Sequence, residues 1–379
     1  MRALFVALVA GVAAIVVAAA LWPRVVDGDA VQAELRRLVQ EATGQDIAVR
    51  GGIGIDLFPR PRLSLARVAV GGPPGAAGQA FRAEADRADL EVAPLAFLGG
   101  RLEIVSVRLV RPRVALAAMP AAAFVPDLLA VLASPPFARL ESVRVVDGHA
   151  EVSGVATRAG VTRLEALDAT LRRDMPLGGR VAVTLAASAG GMPLGLEAEI
   201  GESSGTGASS LKFELSGGPA GRAARLDFRG FGTFAGPAPG LKGEFGLEAS
   251  DAAALQRLAA LAGDVWPAER LPRTGPLLFE GRAELADRTL TLQEVTCRLG
   301  GNTLNAGLEL ALAGKPRLDL RVEGAEFVVD ADADASGDLR LLAALPWWEA
   351  LPEGRIALRL GVVRWREQAV ARQLRLEAT

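Results

Sequence analysis

Few side chains in this sequence could do covalent chemistry. Its 379 residues include one histidine and one cysteine. His149 follows Val146-Asp147-Gly148, a turn leading into a strand. A Ser-His-Asp triad would need this imidazole, and no Gly-x-Ser-x-Gly elbow accompanies it. His149 therefore reads as a surface residue and the chain as a non-enzyme. Cys297 has no second thiol for a disulfide or a multi-cysteine metal site, and its place in an alternating run makes it a core residue. Asp332, Asp334, Ser336, Gly337 and Asp338 open like a calcium loop, but the twelfth position is Ala343, where a bidentate Glu is required. That stretch reads as a solvated turn, so no metal or cofactor is expected. Arg101, Arg108, Arg111 and Arg113 could meet phosphates. Interleaved with Leu102, Ile104, Val107 and Leu109, they read instead as the polar face of a strand pair.

Composition narrows the partners further. Half the residues are apolar, tyrosine is absent, and the formal net charge is −2. No basic stretch interleaved with aromatics invites nucleic acid. The three lysines are Lys212, Lys242 and Lys315, so arginine carries most of the positive charge. The apolar surface is mostly small or branched aliphatic.

The elements that carry these side chains follow a period of two. From Thr303 to Leu312, Leu304, Ala306, Leu308, Leu310 and Leu312 alternate with Thr303, Asn305, Gly307, Glu309 and Ala311. After Gly314-Lys315-Pro316 the pattern resumes with Leu318, Leu320 and Val322 against Arg317, Asp319, Arg321 and Glu323, which makes an antiparallel hairpin. The preceding strand, Thr289 to Leu299, changes parity between Leu292 and Val295. A bulge near Gln293-Glu294 would keep one face apolar. Similar runs recur through Val143, Val181, Leu194, Leu211, Leu226 and Arg355, and suggest roughly twenty strands with only a few short helices.

The chain opens with an uninterrupted apolar run, Ala3 to Trp22, long enough as a helix to span the ~30 Å core of a bilayer. A cleaved leader is the competing reading, with Ala18-Ala19-Ala20 as the small residues. The length of the run and its continuation through Trp22-Pro23 favour an uncleaved anchor. Asp29 then starts an amphipathic helix with Val31, Leu35, Leu38, Val39 and Ala42 on one face, suited to plugging the end of a sheet.

Thr43-Gly44-Gln45, Gly51-Gly52, Leu57-Phe58-Pro59, Phe81, Pro94-Leu95, Gly99-Gly100-Arg101-Leu102-Glu103-Ile104 and Pro112 follow that run in order. Over residues 1 to 118 this resembles the start of the AsmA family of envelope proteins. Residues 243–324 are similar to the family's C-terminal region. The resemblance implies a mainly β chain: an N-terminal transmembrane helix, then a long, twisted, bent antiparallel sheet forming an apolar groove, with a few short helices. The expected divisions are 3–22 as anchor, 23–118 as the AsmA N-terminal region, and 119–379 as continued groove.

The groove lining expected from resemblance and alternation together begins with Ile53, Ile55, Leu57, Leu63, Leu65, Leu102 and Ile104. It continues through Val181, Val183 and Leu185, and then Leu304, Leu308, Leu310, Leu312, Leu318, Leu320 and Val322. The function implied is carriage of phospholipid from the inner membrane of a Gram-negative bacterium toward the outer one, with the bulk of the chain in the periplasm. Its partners would be the inner membrane, phospholipid, and outer-membrane or envelope assembly proteins. The alternative is an anchored factor for outer-membrane protein targeting or insertion, its sheet closed as a sandwich or barrel.

Overall fold

The computed structural model describes residues 33–37, 40, 47–56, 60–71, 81–98, 102–117, 139–153, 161–174, 180–203, 208–219, 223–233, 240–251, 253–255, 257, 276–299, 301–311, 317–329, 353–365 and 368–378. The apolar run 3–22 and the acidic stretch 332–338 lie outside them. The described chain is mainly β, and its contacts divide it into two compact units, Met1–Ser153 with Arg163–Leu177, and Gly154–Thr162 with Gly178–Thr379.

In the first unit, β1 (Ile47–Val49) and β2 (Ile53–Asp56) both pair antiparallel with β3 (Arg62–Val70). The break between β1 and β2 is Gly51-Gly52. A Cβ on Gly51 would stand 2.7 Å from that of Ala66, and Gly52 has φ +89°. β3 pairs with β4 (Phe81–Val92), which pairs in turn with β5 (Ile104–Val110) and β6 (Arg113–Ala117), all antiparallel.

The next junction corrects the expectation of an all-antiparallel sheet. β7 (Ser142–Ser153) runs parallel to β5 and β6. Residues 118–141 separate β6 from β7, more than the dozen or so that a parallel crossover requires. β8 (Val161–Asp174) lies beside β7, where Arg173 N–H donates to the Glu141 carbonyl at 2.8 Å and Arg163 pairs with Glu151 at 3.0 Å.

A line of left-handed residues crosses this unit. Arg67 has φ +51°, Arg111 +48°, Asp147 +53° and Ala166 +49°, continuing from Gly52 on neighbouring strands. The apolar parity switches along the same line, from Leu63 and Leu65 to Val68 and Val70 on β3, and from Leu90 and Ala88 to Ala85 and Ala83 on β4. The register from β3 to β4, and from β5 and β6 to β7, is unbroken across the line, so neighbouring strands switch parity together and the apolar side chains remain on one face. Arg111 is held at the line by Asp86 at 2.8 Å.

That face is closed. Leu63 and Leu65 are 0% and 1% exposed among Ile47, Val68, Leu90, Val92 and Leu102. Leu35, from the helical residues 33–37, and Phe97, from the helix Pro94–Leu98, complete the cluster. The described part of the amphipathic helix thus turns Leu35 inward as its periodicity predicts.

The second unit contains β9 (Arg180–Ala189), β10 (Met192–Ser203), β11 (Ala208–Gly217), β12 (Ala224–Thr233), β13 (Gly240–Ala249), β14 (Leu277–Ala286), β15 (Thr289–Leu299), β16 (Asn302–Ala311), β17 (Arg317–Val329), β18 (Glu353–Trp365) and β19 (Gln368–Ala378). Each pairs with the next. All are antiparallel except β17 with β18, which is parallel after the long connection 330–352, a second correction. The bulge expected on β15 is present: the register shifts between Leu292 and Val295, and Glu294 has φ +52°. β16 and β17 form the expected hairpin pairing. After β13 the chain turns helical at 253–255, where Ala254 N–H donates to Asp251 Oδ1 at 2.6 Å, and Ala254 packs with Ala224, Ala249 and Leu277.

Two tests follow from the first unit. Leu63→Ala leaves a cavity in a closed core and should cost about 2–5 kcal/mol in urea denaturation. At Asp89, burial pushes the carboxyl upward, but hydrogen bonds from Arg87 and Ser64 and the charges of Arg87 and Arg62 outweigh it, leaving the pKa below the usual carboxylate range. A depressed folded pKa gives stability that is complete above the ordinary aspartate value of about 4 and is lost as pH falls below it. Asp89→Asn should therefore flatten the acid limb of the stability profile, measured by chemical denaturation at a series of pH values.

Candidate functional site

The candidate site is the apolar face of the second unit, and strand register builds it. Leu185 stands opposite Leu196, Leu196 opposite Leu215, and Leu215 opposite Leu226. The row continues through Leu247, Phe279, Cys297 and Leu304. A second row runs through Val183, Ala198, Phe213, Phe228 and Phe245 to Gly281. Beyond the β15 bulge, Leu290, Leu310 and Leu318 form one rung, and Leu292, Leu308, Leu320 and Ile356 another. Directly opposed side chains are the sheet's stabilising contacts, so each row is a packed stripe across the strands.

The opposite face is charged. Lys242 meets Glu284 at 3.0 Å, Arg225 meets Glu214 at 2.6 Å, and Arg355 meets Glu377 at 3.1 Å. These are exposed pairs, each worth little individually. They keep this face wetted and leave the aliphatic face as the one with free energy to gain from cover.

The apolar rows differ in how far neighbours cover them. Val181 and Leu304 are buried, whereas Val183, Leu185, Leu308, Leu310, Leu318, Leu320 and Val322 are half-buried. The aromatic stretch is shaped by glycine. Gly230 and Gly243 face each other, and a Cβ on Gly243 would meet Gly230 Cα at 2.6 Å and Phe228 Cζ at 2.8 Å. The ring of Phe228 fills the space those side chains give up and stacks on Phe213, centroids 5.4 Å apart at 19°.

Of the lining residues expected from sequence, Leu63, Leu65, Leu102 and Ile104 are buried in the first unit, their surface already taken by the core. Ile53 and Ile55 pack half-buried against that core. Leu57 and Leu312 lie outside the described residues. Sequence reasoning left Leu196, Leu215, Leu226, Leu247 and the phenylalanines out of the lining; their parity was visible, but their opposition to one another appears only with the register.

The other candidates separate. His149 is exposed, stands opposite Arg113, and donates its backbone N–H to the Pro112 carbonyl at 2.7 Å. Arg111 is paired with Asp86, Arg108 stands opposite Arg144, and Arg101 is outside the described residues. Cys297 is 7% exposed between Phe279 and Leu304, and burial pushes its thiol pKa up.

Residues 1–121 match the model of the AsmA family. The AsmA match covers the stretch on which the sequence resemblance rests and ends within the first unit. It spans about a third of the chain and stops short of the rows on β9 to β19. No curated protein and no solved structure shows significant similarity to the chain.

A buried thiol with a raised pKa is a poor nucleophile. Cys297 should resist iodoacetamide at neutral pH in the native protein and react at the rate of a free thiol in denaturant, as followed by mass spectrometry.

Proposed function

We propose that this is an AsmA-like envelope protein, held in the inner membrane by residues 3–22 with its bulk in the periplasm, that carries phospholipid toward the outer membrane along the apolar face of its second unit. The observation that supports this is the continuity of half-buried aliphatic rows across β9 to β19 with a charged face behind them. Eleven strands at ~4.8 Å spacing give ~48 Å of path, about three times the ~15 Å depth of one leaflet's hydrocarbon.

The energetics suit passage rather than tight capture. An acyl chain in water costs about 0.8 kcal/mol per methylene, and an aliphatic face removes most of that cost wherever the chain lies along it. Leucine, valine and alanine rows offer nearly equivalent contacts at each rung, so no single rung becomes a trap. No covalent step is required, and the protein acts without being an enzyme.

Photo-crosslinking in intact cells tests the proposal, with the probe at Leu310 and, as the opposite-face control, at Glu309. Phospholipid should be captured at Leu310 and not at Glu309. Crosslinks from Leu310 only to other strands of the chain would mean a closed sheet and sink the carriage reading. Capture of outer-membrane protein precursors there would replace it with an assembly role. In the same cells Leu310→Asp should block lipid passage, because it places a charge in the stripe, and Glu309→Lys should not.

A further inference from the structure

The outward face of the first unit carries a patch of arginines. Arg108 and Arg144 stand directly opposite each other on the parallel β5–β7 ladder, and both are exposed. Like charges directly opposite on neighbouring strands are destabilising unless something neutralises them. Ser106 and Ser142 form the adjoining rung. The Arg173 N–H to Glu141 carbonyl hydrogen bond places the end of β8 beside the start of β7, next to Ser142, and the neighbouring Arg172 is exposed. Three guanidinium groups and the hydroxyls of Ser106 and Ser142 therefore lie on neighbouring strands.

Two of the carboxylates facing the patch are held by other arginines. Asp89, opposite Arg108, accepts from Arg87 at 2.7 Å and Ser64 at 2.8 Å. Glu91, opposite Ser106, is held by Arg62 at 2.9 Å and Arg60 at 4.0 Å. Asp168 accepts the Asp147 N–H at 3.3 Å, and Asp174 is exposed two residues along β8 from Arg172. Among the described residues Arg108, Arg144 and Arg172 make no ion pair. Two other pairs of opposed cations have carboxylates beside them: Lys212 and Arg229 are flanked by Glu199 and Glu244, and Arg359, opposite Arg375, meets Glu323 at 3.4 Å. The chain's net charge is −2, so this local excess of positive charge is not a global property.

We propose that the outward face of β5, β7 and β8 is a docking surface for an anionic bilayer, with Arg108, Arg144 and Arg172 binding the phosphate oxyanions of lipid headgroups and the hydroxyls completing the contacts. Guanidinium forks match phosphate geometry, and each arginine near an anionic surface contributes about five-fold in affinity. Proximity to a membrane rests on the anchor reading above. Residues 23–32 separate the apolar run from the helical residues 33–37, whose Leu35 is locked in this unit's core, and ten residues span at most ~35 Å. The patch thus belongs to the unit that the anchor would tether to a bilayer.

The test holds the full chain in neutral phosphatidylcholine nanodiscs with a fluorophore at Val110→Cys, on the same outward face, and titrates in vesicles bearing a headgroup quencher. Phosphatidylglycerol vesicles should quench and phosphatidylcholine vesicles should not. The triple variant Arg108→Gln/Arg144→Gln/Arg172→Gln should lose about a hundredfold in apparent affinity, and raised salt should weaken the wild type. Arg163→Gln, at a paired arginine on the same strand, should bind as wild type; circular dichroism checks that all variants fold. Equal quenching by both vesicles, or an unchanged triple variant, overturns the proposal. Release of the vesicles by inorganic phosphate, with the anion bound as tightly as the bilayer, would make this a free-anion site and also overturn it. If the chain fails to enter nanodiscs the anchor reading fails, and the same titration on the free chain still decides the patch.

Discussion

The second unit depends on one constraint: apolar residues must stand opposite apolar residues on every pair of strands. A slip of one residue between two strands would turn a whole row from one face to the other. Leu226 finds Leu247, Leu247 finds Phe279, and Leu308 finds Leu320 because each turn and bulge preserves that opposition. Where the count of residues would break it, the backbone absorbs the difference, as at Glu294. The strained left-handed residues are therefore the means by which the face stays continuous.

The two units use the same alternation to different ends. In the first, Leu35 and Phe97 from helical segments close over Leu63 and Leu65 and leave a conventional core. In the second, helical cover among the described residues reaches Ala224, Ala249 and Leu277 through Ala254, while the rungs of Leu308 and Leu310 stay half-buried. Glycine sets the relief of that face. The Gly230–Gly243 contact draws two backbones together, and a phenylalanine ring occupies the hollow. Similar compositions thus give a sealed interior in one place and an aliphatic surface in the other.

Much of this was legible in the sequence, because a period of two is a local signal. The hairpin of β16 and β17, the parity break on β15 and the inward Leu35 were all readable from spacing. Two things were not. The parallel pairings of β5 and β6 with β7, and of β17 with β18, depend on where a long connection returns the chain, and no residue pattern encodes that. The pairing of Arg108 with Arg144 is equally hidden, since residues far apart in sequence become neighbours only through that crossover. Arg101, Arg108, Arg111 and Arg113 looked like one cluster along the chain. In the fold the Arg111–Pro112 break divides them, with Arg111 drawn to Asp86 and Arg108 turned toward a different strand.

The parallel junction between β17 and β18 also bears on the order of folding. β9 to β17 pair antiparallel with their sequence neighbours, most across short turns, so structure can propagate along the chain as in a repeat protein. Long connections interrupt that local route at 250–276, between β13 and β14, and again at 330–352 after β17. β18 and β19 can form their own hairpin, but joining β17 requires bringing together the ends of the connection 330–352, whose entropic cost must be met before any contact rewards it. The last hairpin can therefore form apart from the rest of the sheet, and its docking on β17 carries that closure cost. Before that docking β17 presents an unpaired edge, as β13 does before β14 joins it across 250–276, and each such edge is open to pairing with another chain.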